Sequence, residues 1–186
     1  MVGKYRIMNI KSLTIYCSSS DLLEQKFYDL AEKIGFFLGQ NQITIIYGGG
    51  NIGLMGKLSN VALKKGSNVI GVIPEFLKIG ENINLNISKT IIVKTMSQRK
   101  KILFEKGDAF LILPGGSGTI EEATEVISWK FLGIHNKPII IFNFDNYWSS
   151  MIEMYKNAKK NKFGDKNLQS VFRTVNTFEE FSLLFK

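Results

Sequence analysis

One cysteine, Cys17, and one histidine, His135, stand in 186 residues. A lone cysteine excludes a disulfide within the chain, and beside a lone histidine it excludes a Cys/His zinc cluster. No metal or organic cofactor is expected. The fold must then hold by its core alone. A chain of this length can do so, because it buries roughly 70% of its unfolded surface. No apolar run approaches the ~20 residues of a membrane span. The opening stretch MVGKYRIMNIKS lacks the apolar centre of a signal peptide. The expected setting is the cytoplasm, without a membrane partner. Arginine is also scarce: Arg6, Arg99 and Arg173 are the full set, so the formal charge of +8 is carried by lysine. Arginine is the preferred reader of bases and phosphates, and the densest basic stretch, 156–166, holds Phe163 as its one aromatic residue. A solvated lysine face or an anionic small substrate accounts for the charge, and no nucleic-acid partner is expected.

Hydrophobic residues make up 45% and charged residues 22% of the chain, which is a globular composition. Short apolar runs alternate with helix-period segments. The runs Ser12–Cys17, Ile43–Tyr47, Asn68–Ile73, Thr90–Val93, Ala109–Leu113, Pro138–Phe142 and Ser170–Val175 read as strands. Between them, Leu22–Gly39, Ile52–Lys65, Ser97–Lys106, Ile120–Leu132 and Trp148–Lys160 read as helices, with a last helix from Phe178. Residues 75–89 read as a loop. Gly66 ends its helix in the manner of a C-terminal glycine. The strands are continuous Ile/Val/Leu/Phe runs, which suits a parallel sheet buried on both faces. The expectation is an α/β fold: one doubly wound, Rossmann-like nucleotide-binding domain over 1–186, its core about 12–175, with a mainly parallel sheet. Ligands in such sheets bind beyond the carboxyl ends of the strands, so chemistry is sought there.

Two glycine loops follow strands and precede helices. The first, Gly48-Gly49-Gly50-Asn51-Ile52-Gly53, formally contains the dinucleotide spacing, and Glu75 sits where a ribose-binding acid would. It follows the second strand rather than the first. Tight turning with close helix packing, or backbone approach to a nucleotide or sugar phosphate, are both open for Gly48, Gly49 and Gly50. The second loop, Pro114-Gly115-Gly116-Ser117-Gly118-Thr119, opens a helix. Three glycines in four positions admit a ligand close to the backbone. The helix N-terminus adds free N–H groups and partial positive charge. Gly115, Gly116, Ser117, Gly118 and Thr119 are therefore expected to bind phosphate. There is no P-loop lysine, so triphosphate hydrolysis is not expected.

Thr119 and Glu122 fit a capping box, with Thr119 as N-cap and Glu122 at the third helical position. Glu121 points about 100° away from Glu122 on a helix. It has no capping duty and is the expected catalytic carboxylate, with stabilisation of the helix dipole as its other use. Arg99, Lys100 and Lys101 crowd the first turn of a helix, where cations oppose the dipole by ~0.3–1 kcal/mol each. An anionic substrate, or a carboxylate such as Glu121, would offset them.

The segments YGGGNIGLMG (47–56), VIGVIPEFL (69–77), MSQRK (96–100), DAFLILPGGSGTIEEATEVISW (108–129) and LGIHNKP (132–138) resemble the LOG family, the cytokinin riboside 5′-monophosphate phosphoribohydrolases. The likeness covers about residues 12–160. It implies hydrolysis of the N-glycosidic bond of AMP or an N6-modified AMP, giving free base and ribose 5-phosphate. It also implies a homodimer or higher assembly with the site beside the interface. By motif, Arg99 and Glu121 would be catalytic, 115–119 would hold the phosphate, and Lys100, Glu81 and Ser128 would line the substrate site. The sequence departs from the family pattern at Ser18, Gly80, Ser97 and Phe131. Two other readings stand beside this one: a non-catalytic nucleotide or molybdenum-cofactor carrier of related fold, and a dinucleotide-dependent oxidoreductase. His135 is expected at a loop or helix end, Cys17 buried at a strand end, and Trp129, Phe131 and Leu132 in the core or an interface.

Overall fold

The computed structural model describes residues 10–77, 83–163 and 171–185. Seven strands are β1 (Ser12–Tyr16), β2 (Thr44–Tyr47), β3 (Val69–Pro74), β4 (Lys89–Val93), β5 (Ala109–Ile112), β6 (Ile139–Phe142) and β7 (Arg173–Val175). The helices among the described residues are α1 (Gln25–Gln40), α2 (Gly53–Lys64), α3 (Met96–Lys106), α4 (Ser117–Phe131), α5 (Ser149–Lys160) and α6 (Phe178–Ser182). The strands form one sheet in the order β4-β3-β2-β1-β5-β6-β7, each neighbouring pair parallel.

Side-chain alternation along each strand feeds two cores, one on each face. Leu13, Ile15, Ile45, Leu111 and Ile140 face α1, α2 and α6. Tyr16, Ile46, Val72, Phe110, Ile112 and Ile141 face α3 and α4. Each fully buried aliphatic side chain contributes roughly 1.5–3 kcal/mol. A buried polar tie fixes α3 to the sheet, where the Thr14 hydroxyl donates to the carbonyl of Leu103 at 2.6 Å.

The chain winds outward from β1 to β4, then returns to the other side of β1 and winds outward again through β5. The switch falls between β1 and β5, the place where an open α/β sheet presents its crevice. The loops after β1 and β5 meet there, and Ser18 N–H donates to the carbonyl of Pro114 at 3.1 Å.

Every expected strand and helix is present, with shifted ends. α1 begins at Gln25 rather than Leu22, since Leu22 is exposed and no side chain caps the helix. α3 begins at Met96, capped by the Thr95 hydroxyl, which accepts from Gln98 N–H at 3.2 Å. Gly66 follows the end of α2 at φ +98, as its role as a stop requires. Phe131 and Leu132 are exposed, so the core reading does not hold for them.

Candidate active site

The cavity at the switch point measures about 330 Å³, within the range of small-molecule sites. Its floor is the elbow Gly116–Thr119. The loop Cys17–Ser20 after β1 forms one wall. Met55 of α2, Leu77 beyond β3, and Met96 and Arg99 of α3 form another, and Glu121 and Glu122 of α4 close it.

The elbow departs from expectation in one respect. α4 starts at Ser117 with Gly116 as its N-cap, so Thr119 is not the cap and Glu122 makes no capping bond. The reason lies in which face of α4 is buried. Thr119, Glu122, Ala123, Val126 and Ile127 turn inward, the i, i+3, i+4, i+7 stripe of a helix on a sheet. A helix beginning three residues earlier than expected carries this stripe back through Thr119 to the cavity. The first α-helical bond runs from Ile120 N–H to Gly116 C=O. The N–H groups of Ser117, Gly118 and Thr119 thus precede the ladder and lie at its positive end. A methyl group on Gly116 or Gly118 would meet no atom within 4 Å; the space there is open for a ligand.

The same rotation separates the two glutamates. Glu122 has a side chain 7% exposed, and its Oε1 lies 3.0 Å from Arg99 Nη1. The contact is one of charge, without hydrogen-bond alignment at that oxygen. Burial, partly offset by Arg99 and reinforced by Glu121 and Glu125, raises the Glu122 carboxyl to about 7. Glu121 is 52% exposed and pairs with Lys100 at 2.5 Å. Lys100 also reaches Glu125 at 2.9 Å, and its pairing with both carboxylates raises its own pKa. The crowding of cations in α3 is thus relieved by α4. The partners are Arg99–Glu122 and Lys100–Glu121, where Arg99 beside Glu121 was expected. Arg99 is further held by its Nε donating to the carbonyl of Val72 at 3.2 Å. The guanidinium lies against Gly48, whose absent Cβ would come within 2.5 Å of Nη2.

Of the other predicted residues, Gly115 lies behind the elbow, its carbonyl accepting from the Tyr147 hydroxyl. Gly49 and Gly50 are buried and do not line the cavity; Gly50 bridges to Ile83. Ser128 lines a separate apolar hollow with Ile127, Phe131, Met154, Tyr155 and Phe163, and is not brought to the cavity within one chain. Glu81 and Gly80 fall outside the described residues. His135 has a structural role at the end of α4. Its Nδ1 accepts from Lys137 N–H at 3.1 Å, which leaves Nε2 to donate to the carbonyl of Val126 at 2.9 Å. Cys17 is buried, and burial pushes its thiol up, which disfavours the thiolate. Sequence reasoning missed Glu122 as a site residue. The signal was present, because extending the Ala123/Val126/Ile127 stripe one turn back reaches Glu122 and not Glu121.

A doubly wound parallel sheet with an open helix N-terminus at its switch point, facing an Arg–Glu pair, places the protein in the Rossmann-like α/β class. The comparisons give the family. A family model described as "Possible lysine decarboxylase" matches residues 55–183. A cytokinin riboside 5′-monophosphate phosphoribohydrolase of Rhodococcoides fascians is 40% identical over 149 residues, 80% of this chain and 75% of that one. A protein of the same name from Arabidopsis thaliana is 37% identical over 168 residues, 90% of this chain and 78% of that one. The chain belongs to the LOG family. Among solved structures, the molybdenum cofactor binding protein from Rippkaea orientalis has a TM-score of 0.68 at 18% identity, covering 94% of each chain. The molybdenum cofactor carrier protein of Chlamydomonas reinhardtii has 0.67 at 14%, covering 92% of each. These last two likenesses are of fold alone.

Proposed function

We propose that the chain is a phosphoribohydrolase that cleaves the N-glycosidic bond of a nucleoside 5′-monophosphate, AMP or an N6-modified AMP, to free base and ribose 5-phosphate. The observation that carries this reading is the buried Arg99–Glu122 pair facing the open N-terminus of α4 across one cavity. The 5′-phosphate rests on the N–H groups of 116–119, with the Ser117 and Thr119 hydroxyls beside it. This sets the ribose against the pair. As the bond from C1′ to the base nitrogen breaks, positive charge develops on the sugar, and a carboxylate held at low dielectric beside it lowers the barrier. Glu122 supplies that carboxylate and orients the water that adds to C1′; the departing base nitrogen takes up the proton. Arg99 holds the phosphoribosyl group and fixes Glu122. Glu121, on the rim with Lys100, has the smaller share. Met55, Leu77 and Met96 give the base an apolar wall.

The curated relatives named above, at 37–40% identity, support hydrolysis over the carrier reading, which rests on fold likeness. The test is chromatographic. The protein is incubated with AMP and with N6-isopentenyl-AMP, and released base and ribose 5-phosphate are quantified. Equimolar release from either substrate is expected, and binding without release would make the protein a carrier.

We also infer a homo-oligomer, in the cytoplasm. Phe131, Met154 and Phe163, all exposed, line an apolar hollow beside Ser128, and Leu132 (67% exposed) follows Ser128 by one helical turn. Sedimentation should give at least a dimer, and Leu132→Glu should shift it toward monomer.

A further inference from the structure

The phosphate elbow has a tether that the hydrolytic reading does not use. Tyr147 stands at the end of the turn 144–147 that follows β6. Its hydroxyl donates to the carbonyl oxygen of Gly115 at 2.8 Å, across 32 positions of sequence. Gly115 C=O and Gly116 N–H belong to one peptide unit. In a planar trans peptide these two groups point in opposite directions. A hydroxyl that draws the carbonyl to one side therefore aims the Gly116 N–H to the other. Gly116 stands between two cavities: it lines one with Arg99 and Glu122, and the other, behind the elbow, with Gly115 and Tyr147.

Such a tether matters only if its anchor is rigid. Asp145 and Asn146 both adopt left-handed backbone, with φ of 51° and 60°, which short polar side chains accept in a tight turn. Contacts from three sides hold that turn. Lys26 of α1 pairs with Asp145 at 2.6 Å, Phe27 sets ring edges against Phe144 and Tyr147, and the Asn143 side-chain oxygen accepts from Trp148 N–H at 2.8 Å. The rear cavity, about 250 Å³ between Leu23, Phe27, Pro114 and Tyr147, leaves the elbow unpacked on that side. The hydroxyl spans the gap.

We propose that Tyr147 is a positioning residue: by fixing the Gly115–Gly116 peptide, its hydroxyl presents the Gly116 N–H to the substrate's phosphate. This rests on the reading of the elbow as the phosphate site. The role concerns binding rather than bond cleavage. Tyr147→Phe keeps the ring and its packing and deletes the hydroxyl. Losing one pre-set hydrogen bond should raise KM for AMP and the inhibition constant of inorganic phosphate together, by about three- to tenfold. The kcat should stay within about twofold. In ¹⁵N-labelled protein the Gly116 amide resonance should move with phosphate in the wild type and move less in the variant. A variant with unchanged KM, phosphate inhibition and Gly116 response overturns the inference and leaves the hydrolytic reading intact. So does one that loses thermal stability without any change in phosphate inhibition. A wild type that releases no base and whose Gly116 amide does not respond to phosphate overturns both.

Discussion

The two glycine loops share a composition and a place after a strand, yet the fold uses them in opposite ways. In the first, the glycines are buried, and at Gly48 and Gly49 a Cβ would run into neighbouring side chains. Gly49 has φ +83 and lies against the Ile73 side chain, with the Gly71 Cα close by, and Gly48 makes room for the Arg99 guanidinium. In the second, Gly116 and Gly118 are exposed at a helix N-terminus, with open space where a Cβ would stand. Gly48 and Gly49 are needed because protein is already there, as is Gly115 against Thr119, whereas Gly116 and Gly118 leave space that no protein atom fills. A glycine pattern signals close approach but does not say of what.

Substitutions can break or sharpen this contrast. The largest effect is expected beside the elbow. Glu122→Gln should lower kcat by about 10²–10³-fold, the scale of removing one charge-stabilising group, while phosphate inhibition persists. In the wild type, kcat/KM should rise with pH through about 7 as Glu122 ionises, and that limb should vanish in the variant. Stability runs the other way. The folded state binds this proton more tightly than the unfolded chain, whose value is near 4.5. The contribution of Glu122 is thus full below that value and is lost as pH rises through about 7. A melting series against pH checks the sign.

Gly118→Ala should raise KM for AMP about tenfold, by putting a methyl group beside the phosphate, with the melting temperature unchanged or slightly higher because alanine favours the helix. Gly49→Ala should do the reverse. Left-handed backbone and overlap with Ile73 together cost roughly 2–4 kcal/mol, read as a melting temperature lower by roughly 10 °C, with KM near wild type in the fraction that stays folded. If Gly118→Ala destabilised and Gly49→Ala only weakened binding, the contrast between the loops would be reversed. The smallest effect belongs to Glu121→Gln, a few-fold in kcat/KM, because its exposed pair with Lys100 is screened by water.

Much of this was legible in the chain. Continuous apolar runs such as Ala109–Leu113 announced strands buried on both faces, and the spacing of helices between them announced a parallel sheet. Gly116, Ser117 and Gly118 were legible as an open helix entrance because glycines before a helix start have a direct physical meaning. Arg99 was legible because a cation in a first helical turn demands compensation. Glu122 was not, because the capping-box spacing offered a local explanation that the true helix start at Ser117 removes. Ser128 illustrates another limit: motif resemblance placed it at the substrate, while the single chain turns it toward an apolar face.

Sequence periodicity and turn chemistry are local properties, so the order of elements, the two glycine loops and the charged residues near them were determined by the chain itself. Which strands became neighbours, which face of α4 turned inward, and therefore which of two adjacent glutamates meets Arg99, were decided only by packing. A rotation of one residue, about 100° on a helix, separates a carboxylate in water from one buried against a guanidinium. That rotation is set by the stripe Ala123, Val126 and Ile127 seeking the sheet in the turns that follow Glu122.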